Sequence, residues 1–210
     1  NENGELDEGE PSTVTDENGF YEFSELNPGT YTIAEVQQSG WQQTFPLETN
    51  TGYQWSETEF NWTDISETGT EIVLSDDDSE EVSLPFAFPF YGEDQNTVKI
   101  SSNGYLGFGS DGSDPGNDPI PDGNTPNNFL APFWDDLNPR YGGSIYYYYD
   151  QEQEEFIVQY QDLLRYSGEG SYTLQAVLEP NGNIEYRYQD VTGILDSATI
   201  GVENADGTQG

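Results

Sequence analysis

The side chains able to do chemistry in this chain are few in kind, and nearly all of them are oxygen donors. Residues 1–10 read Asn-Glu-Asn-Gly-Glu-Leu-Asp-Glu-Gly-Glu. Set on the calcium-loop pattern D-x-[DN]-x-[DN]-G-x5-E, they match from its third position onward. Asn1 and Asn3 take the third- and fifth-position ligand places, Gly4 the sharp turn and Glu5 the backbone-carbonyl place. Asp7 stands at the ninth position and Glu10 at the closing bidentate one, so the opening Asp of the pattern would lie before Asn1. Oxygens two residues apart on a tight loop converge on one centre, which is what Ca2+ requires. The competing reading is an acidic, glycine-containing linker.

Two further groups of oxygen donors stand out. Asp111, Asp114, Asn117, Asp118 and Asp122 crowd one loop without a fixed spacing, and read either as calcium ligands or as a solvated loop. Asp135 and Asp136 admit three roles: capping backbone amides at a strand end, binding calcium, or serving as a carboxylate pair for glycoside chemistry. Neighbours on a strand point to opposite faces, so these two do not readily flank one bond. Asp76-Asp77-Asp78 reads most simply as a solvated charged turn.

What is missing closes most reaction classes. The chain has no Cys, His or Met, and its only basic residues are Lys99, Arg140, Arg165 and Arg187. Without Cys or His there is no thiolate or imidazole zinc site and no Ser–His–Asp or Cys–His nucleophile system. An enzyme is therefore not expected. The formal net charge is −37, and self-repulsion on that scale loosens a compact fold in dilute salt. High ionic strength or bound divalent cations relieve it, so a salt-rich or calcium-rich setting is expected. No basic patch exists to meet phosphates, which excludes nucleic acid as a partner. Fifteen Tyr, eleven Phe and four Trp are too many for a solvated acidic tail, so the chain folds. No run approaches the roughly 18 apolar residues of a membrane span.

The elements that would position these groups are strands. Two-residue alternation recurs at Phe20–Phe23, Thr30–Val36, Val98–Ile100, Phe156–Tyr160, Tyr172–Leu178 and Ile184–Tyr188, and no stretch keeps helical spacing for three turns. Asn18-Gly19, Pro28-Gly29, Asn103-Gly104, Asn181-Gly182 and Asp206-Gly207 supply tight turns between them, with Leu178–Ile184 the clearest hairpin. The predicted fold class is all-β: an antiparallel β-sandwich domain over 53–210, preceded by a partial small Ig-like or prealbumin-like β module over 1–48. Phe86, Phe88 and Phe90 form a core stripe, and Trp134 is core as well. Tyr146-Tyr147-Tyr148-Tyr149 puts two rings on each face, one pair core and the other exposed.

Thr15-Asp16-Glu17-Asn18-Gly19-Phe20-Tyr21-Glu22-Phe23, then Leu26-Asn27-Pro28-Gly29-Thr30-Tyr31-Thr32-Ile33-Ala34-Glu35-Val36, closely resembles the second half of SdrD B-like (Cna-B-like) repeats. Those are small β-sandwich modules of bacterial surface proteins, and the resemblance implies a calcium-binding stalk element over residues 1–46. From Phe86-Ala87-Phe88-Pro89-Phe90-Tyr91-Gly92 through Ser102-Asn103-Gly104-Tyr105-Leu106-Gly107-Phe108 and Ala131-Pro132-Phe133-Trp134-Asp135 to Gln175-Ala176-Val177-Leu178, the order resembles nidogen-like domains. This second resemblance implies an extracellular adhesive or matrix role.

The expected function is a non-enzymatic structural or adhesive module of a cell-surface protein or secreted fibre, stabilised by calcium or salt. Its expected partners are copies of itself or other surface proteins. The last strand, near Thr199, lacks a return strand, which suggests head-to-tail assembly by strand addition. The alternative is a carbohydrate-binding module of a larger secreted protein, with polysaccharide as partner and surface Tyr or Trp as its platform.

Overall fold

The computed structural model describes residues 11–14, 21–23, 52–109 and 112–210. The chain divides into two compact units, Asn1–Thr49 and Asn50–Gly210, and every strand among the described residues belongs to the second. Asn1, Asn3, Glu5, Asp7 and Glu10 of the expected calcium loop, the strand expected over Thr30–Val36, and Asp111 lie outside the described residues. Tyr21, Glu22 and Phe23 are described but belong to no strand.

Ten strands follow in order: β1 (Thr70–Ile72), β2 (Ser79–Phe90), β3 (Glu93–Ser101), β4 (Leu106–Gly107), β5 (Phe129–Trp134), β6 (Ser144–Asp150), β7 (Glu155–Leu163), β8 (Ser171–Leu178), β9 (Ile184–Thr192) and β10 (Thr199–Glu203). They form two five-stranded antiparallel sheets, ordered β1-β6-β7-β8-β9 and β10-β5-β4-β3-β2. No helix occurs among the described residues. The architecture is the expected all-β sandwich.

Alternation explains the pairing. Along β7, Phe156, Val158 and Tyr160 face inward, and along β8 Tyr172, Leu174, Ala176 and Leu178 do the same. They meet Phe88, Phe90, Val98, Ile100, Leu106 and Phe133 from the other sheet in one cluster. Each Phe or Leu buried there contributes roughly 1.5–3 kcal/mol. Phe88 and Phe90 are buried and Phe86 is half-buried against the same cluster, as the core stripe requires. Pro85 and Pro89 lack the N–H that a ladder needs, and β2 is accordingly an outermost strand. The Leu178–Ile184 hairpin joins β8 to β9, with Leu178 opposite Ile184.

Each sheet is also covered on its outer face. Residues 53–65 form an arm across the β6–β9 sheet: Thr58 Oγ1 donates to Glu185 Oε1 (3.1 Å), Gln175 Nε2 donates to Thr63 O (2.7 Å) and Ile65 N donates to Gln159 Oε1 (3.1 Å). Gln159 and Gln175 are thus fully buried, and Gln175 Nε2 also donates to Gln159 Oε1 (2.7 Å). Under the arm, Ile65, Ile157 and Val177 form a second apolar cluster, with Tyr146 and Tyr148 packed against it. This corrects the expected exposed tyrosine pair: Tyr147 and Tyr149 lie against the main core, Tyr146 and Tyr148 against the arm, and all four are half-buried.

The long loop before β5 covers the other sheet. Tyr105, Phe129, Ala131 and Trp134 form a third cluster, with Ile120 against it. The loop is held there by Asp114 N donating to Tyr105 Oη (3.0 Å), Trp134 Nε1 donating to Asp114 O (3.0 Å) and Asn117 Nδ2 donating to Ser197 O (2.6 Å).

Candidate metal centre

Three turns meet at one end of the sandwich. One links β1 to β2 and carries Asp76, Asp77 and Asp78; one links β3 to β4 and carries Ser102, Asn103 and Gly104; the third leaves β5 at Asp135 and Asp136. Main-chain bonds staple them. Ser102 N donates to Asp78 O (2.8 Å), Asp135 N to Asn103 O (3.2 Å) and Phe133 N to Gly104 O (3.2 Å). Gly104 is required at its turn. Its φ is +75°, and a Cβ at that position would collide with the Phe133 carbonyl oxygen.

The first turn is built from its own carboxylates. Asp78 accepts from Ser75 N (3.1 Å), Ser75 Oγ (3.0 Å) and Ser79 N (2.9 Å), and its own N donates to Ser102 Oγ (3.0 Å). The Ser75 amide is the main reason its carboxyl titrates below the usual range. The expected solvated turn is therefore only partly that: Asp77 is exposed, whereas Asp76 and Asp78 are half-buried.

Asp76, Asp77 and Asp136 each bring one carboxylate oxygen within 4.8 Å of the others. The Asp136 carboxyl is pushed up, first by burial and then by the charges of Asp77, Asp76 and Asp135, with Arg165 opposing. Beside them, Asn103 is fully buried and its Nδ2 donates to Asp77 Oδ1 (3.0 Å). Its amide oxygen is buried with no hydrogen-bond partner, and so is Asp76 Oδ1. Unmet buried oxygens next to mutually repelling carboxylates are the surroundings that a hard divalent cation neutralises. The chemistry open to this group is cation binding by oxygen ligands.

Asp135 goes elsewhere. It is 2% exposed, its Oδ1 lies 3.0 Å from Arg165 Nη2, and its Oδ2 accepts from Ser197 Oγ (2.7 Å). Asp136 N also donates to Asp135 Oδ1 (2.8 Å). This side chain ties β5 to two loops, so the two adjacent aspartates are divided between an ion pair and the acidic cluster. In the long loop, Asp114 Oδ1 accepts from Gly116 N (2.9 Å), and the main-chain oxygen of Asp118 accepts from Thr199 Oγ1 (3.0 Å). Among the described residues, Asp114 and Asp118 join no group of three acidic side chains at ligand distance. Asp76, Asp77 and Asn103 are the members that sequence reasoning did not assign to a site. The three turns lie far apart along the chain, and the available signal was only the acidic run and the Asn-Gly turn.

No solved structure matches the chain at a significant level. Residues 52–210 match the family model described as NIDO related, a span that contains both sheets, the arm and the acidic cluster. Nidogen-like character is thus shown for the sandwich, and the chain belongs to the NIDO-related family.

Proposed function

We propose that this chain is a secreted, non-enzymatic structural or adhesive module, stabilised by calcium at Asp76, Asp77 and Asp136. The observation that carries the reading is the NIDO-related match over the whole sandwich, since that family relation points to an extracellular β-sandwich. The acidic balance supports it, because −37 favours a medium rich in salt or divalent cations. Residue chemistry supports the absence of catalysis. There is no Cys or His, and Asp135 is held in an ion pair with Arg165. The first 48 residues are read as an SdrD B-like stalk module, with copies of the chain or other surface proteins as partners.

Immunogold labelling of intact source cells, paired with a screen of polysaccharide, peptide and ester substrates, tests this. Label at the surface or in the medium with no turnover is the expected result. A cytoplasmic signal, or turnover lost on Asp136→Asn, would overturn it.

A further inference from the structure

The arm over residues 53–65 carries a motif that neither the sandwich nor the acidic cluster uses. Asn61-Trp62-Thr63 is an Asn-x-Thr triplet with a residue other than Pro at its centre, the acceptor pattern for an N-linked glycan. No other Asn in the chain has Ser or Thr two residues on.

The surroundings of this asparagine differ from those of the others. Asn103 Nδ2 donates to Asp77 Oδ1 (3.0 Å), Asn117 Nδ2 to Ser197 O (2.6 Å) and Asn128 Nδ2 to Phe108 O (2.8 Å). Asn181 and Asn183 both donate to Glu179 Oε2, at 3.0 and 3.1 Å. Each of these spends its amide nitrogen on holding a turn or loop. Asn61 is exposed, and among the described residues its amide has no hydrogen-bond partner. A substituent on that nitrogen therefore costs the fold no bond.

The segment around it is also suited to an enzyme's cleft. Residues 54–61 are exposed without a break, and 53–65 contain no strand or turn. Few main-chain bonds need to open before such a stretch lies extended against a transferase. Thr63 is half-buried, and its carbonyl oxygen accepts from Gln175 Nε2 (2.7 Å). Its hydroxyl is best reached before the arm docks, which places the transfer during export.

We propose that Asn61 is an N-glycosylation site, loaded from a polyprenyl-phosphate-linked oligosaccharide as the chain leaves the cell. This rests on the secreted reading above, because the chain must meet donor and transferase on its way out. Asn61 Nδ2 attacks the anomeric carbon of the donor sugar and forms the new N–C bond. The C–O bond to phosphate breaks, the phosphate leaves with the electron pair, and the amide proton passes to a base of the transferase. The glycan sets hydrated bulk beside Phe60 and Trp55, which are 62% and 89% exposed, and lowers the tendency of that apolar stretch to associate.

Peptide mapping by mass spectrometry tests this on chain recovered from the surface or medium of source cells. Asn61→Gln, Thr63→Ala and Thr63→Ser, expressed in the same cells, are mapped beside the wild type. The wild-type peptide containing Asn61 should be heavier by whole sugar residues. Asn61→Gln and Thr63→Ala should lose them, whereas Thr63→Ser keeps the hydroxyl and should keep the sugar. The wild type alone decides whether Asn61 is modified, so a variant that fails to fold leaves the test intact. Unmodified Asn61 in chain from the surface or medium would overturn the proposal and leave the secreted reading standing. Chain confined to the cytoplasm would overturn both, and sugar retained in Thr63→Ala would overturn the assignment to this triplet.

Discussion

Asp136 carries opposite meanings with and without a cation. Its folded-state carboxyl titrates above the ordinary value of 3.8, so the folded chain holds that proton more tightly than the unfolded one. Stability at this site therefore falls as pH rises from about 4 through the raised value, and the penalty persists at neutral pH. Asp136→Asn removes it. In EDTA the variant should melt about 2 °C higher than wild type, the shift that ~0.5–1 kcal/mol of relieved charge burial and repulsion gives a domain of this size. With calcium at about 100 times its dissociation constant the order should reverse, because wild type gains ~2.7 kcal/mol, or about 5–10 °C, from that site. Scanning calorimetry at pH 7 reads both arms, and a variant that melts below wild type in EDTA would contradict the assignment. Arg187 shows the other way this chain handles carboxylates. It is buried and bonded to Glu155 Oε1 (2.8 Å) and Glu185 Oε2 (2.7 Å), so one of only four basic residues neutralises two acids on the sheet's outer face.

Among the elements, strands were legible where one face meets the core and a turn dipeptide follows, as at Leu178–Ile184. The arm over residues 53–65 was not, because it has no alternation of its own and is held by glutamines more than ninety residues away in sequence. A signal did exist. Phe156-Ile157-Val158 and Ala176-Val177-Leu178 are apolar without a break, which marks a strand covered on both faces rather than one. The acidic pattern divides in the same way. Asp136 was readable as a candidate ligand, while Asp76 and Asp77 come within 4.8 Å of it only through contacts between turns that no local spacing encodes. Gln175→Ala tests the arm as an element: it leaves Thr63 O and Gln159 Oε1 each short of a donor. The expected loss is about 1–3 kcal/mol by urea denaturation, with faster protease cleavage within 53–65. Cleavage at the wild-type rate would show that the glutamines do not hold it.

At the scale of the whole molecule, −37 sets the conditions for folding. Raising ionic strength from 0.1 to 1 M shortens the screening length from about 10 Å to about 3 Å. The thermal midpoint should therefore climb steadily with NaCl even in EDTA, and equal midpoints at 0.1 and 2 M would refute a charge-limited fold. The path of the arm has a mechanical consequence. From Tyr53, which bonds Pro89 O of β2 (3.3 Å), it reaches Glu185 of β9, Gln175 of β8 and Gln159 of β7 before entering β1 beside β6. Tension applied at residue 52 would load these attachments one after another, as a seam is unpicked, instead of shearing a ladder all at once. The arm would lengthen under small loads while both sheets stay whole, and the sandwich would have an extensible tether ahead of its rigid body.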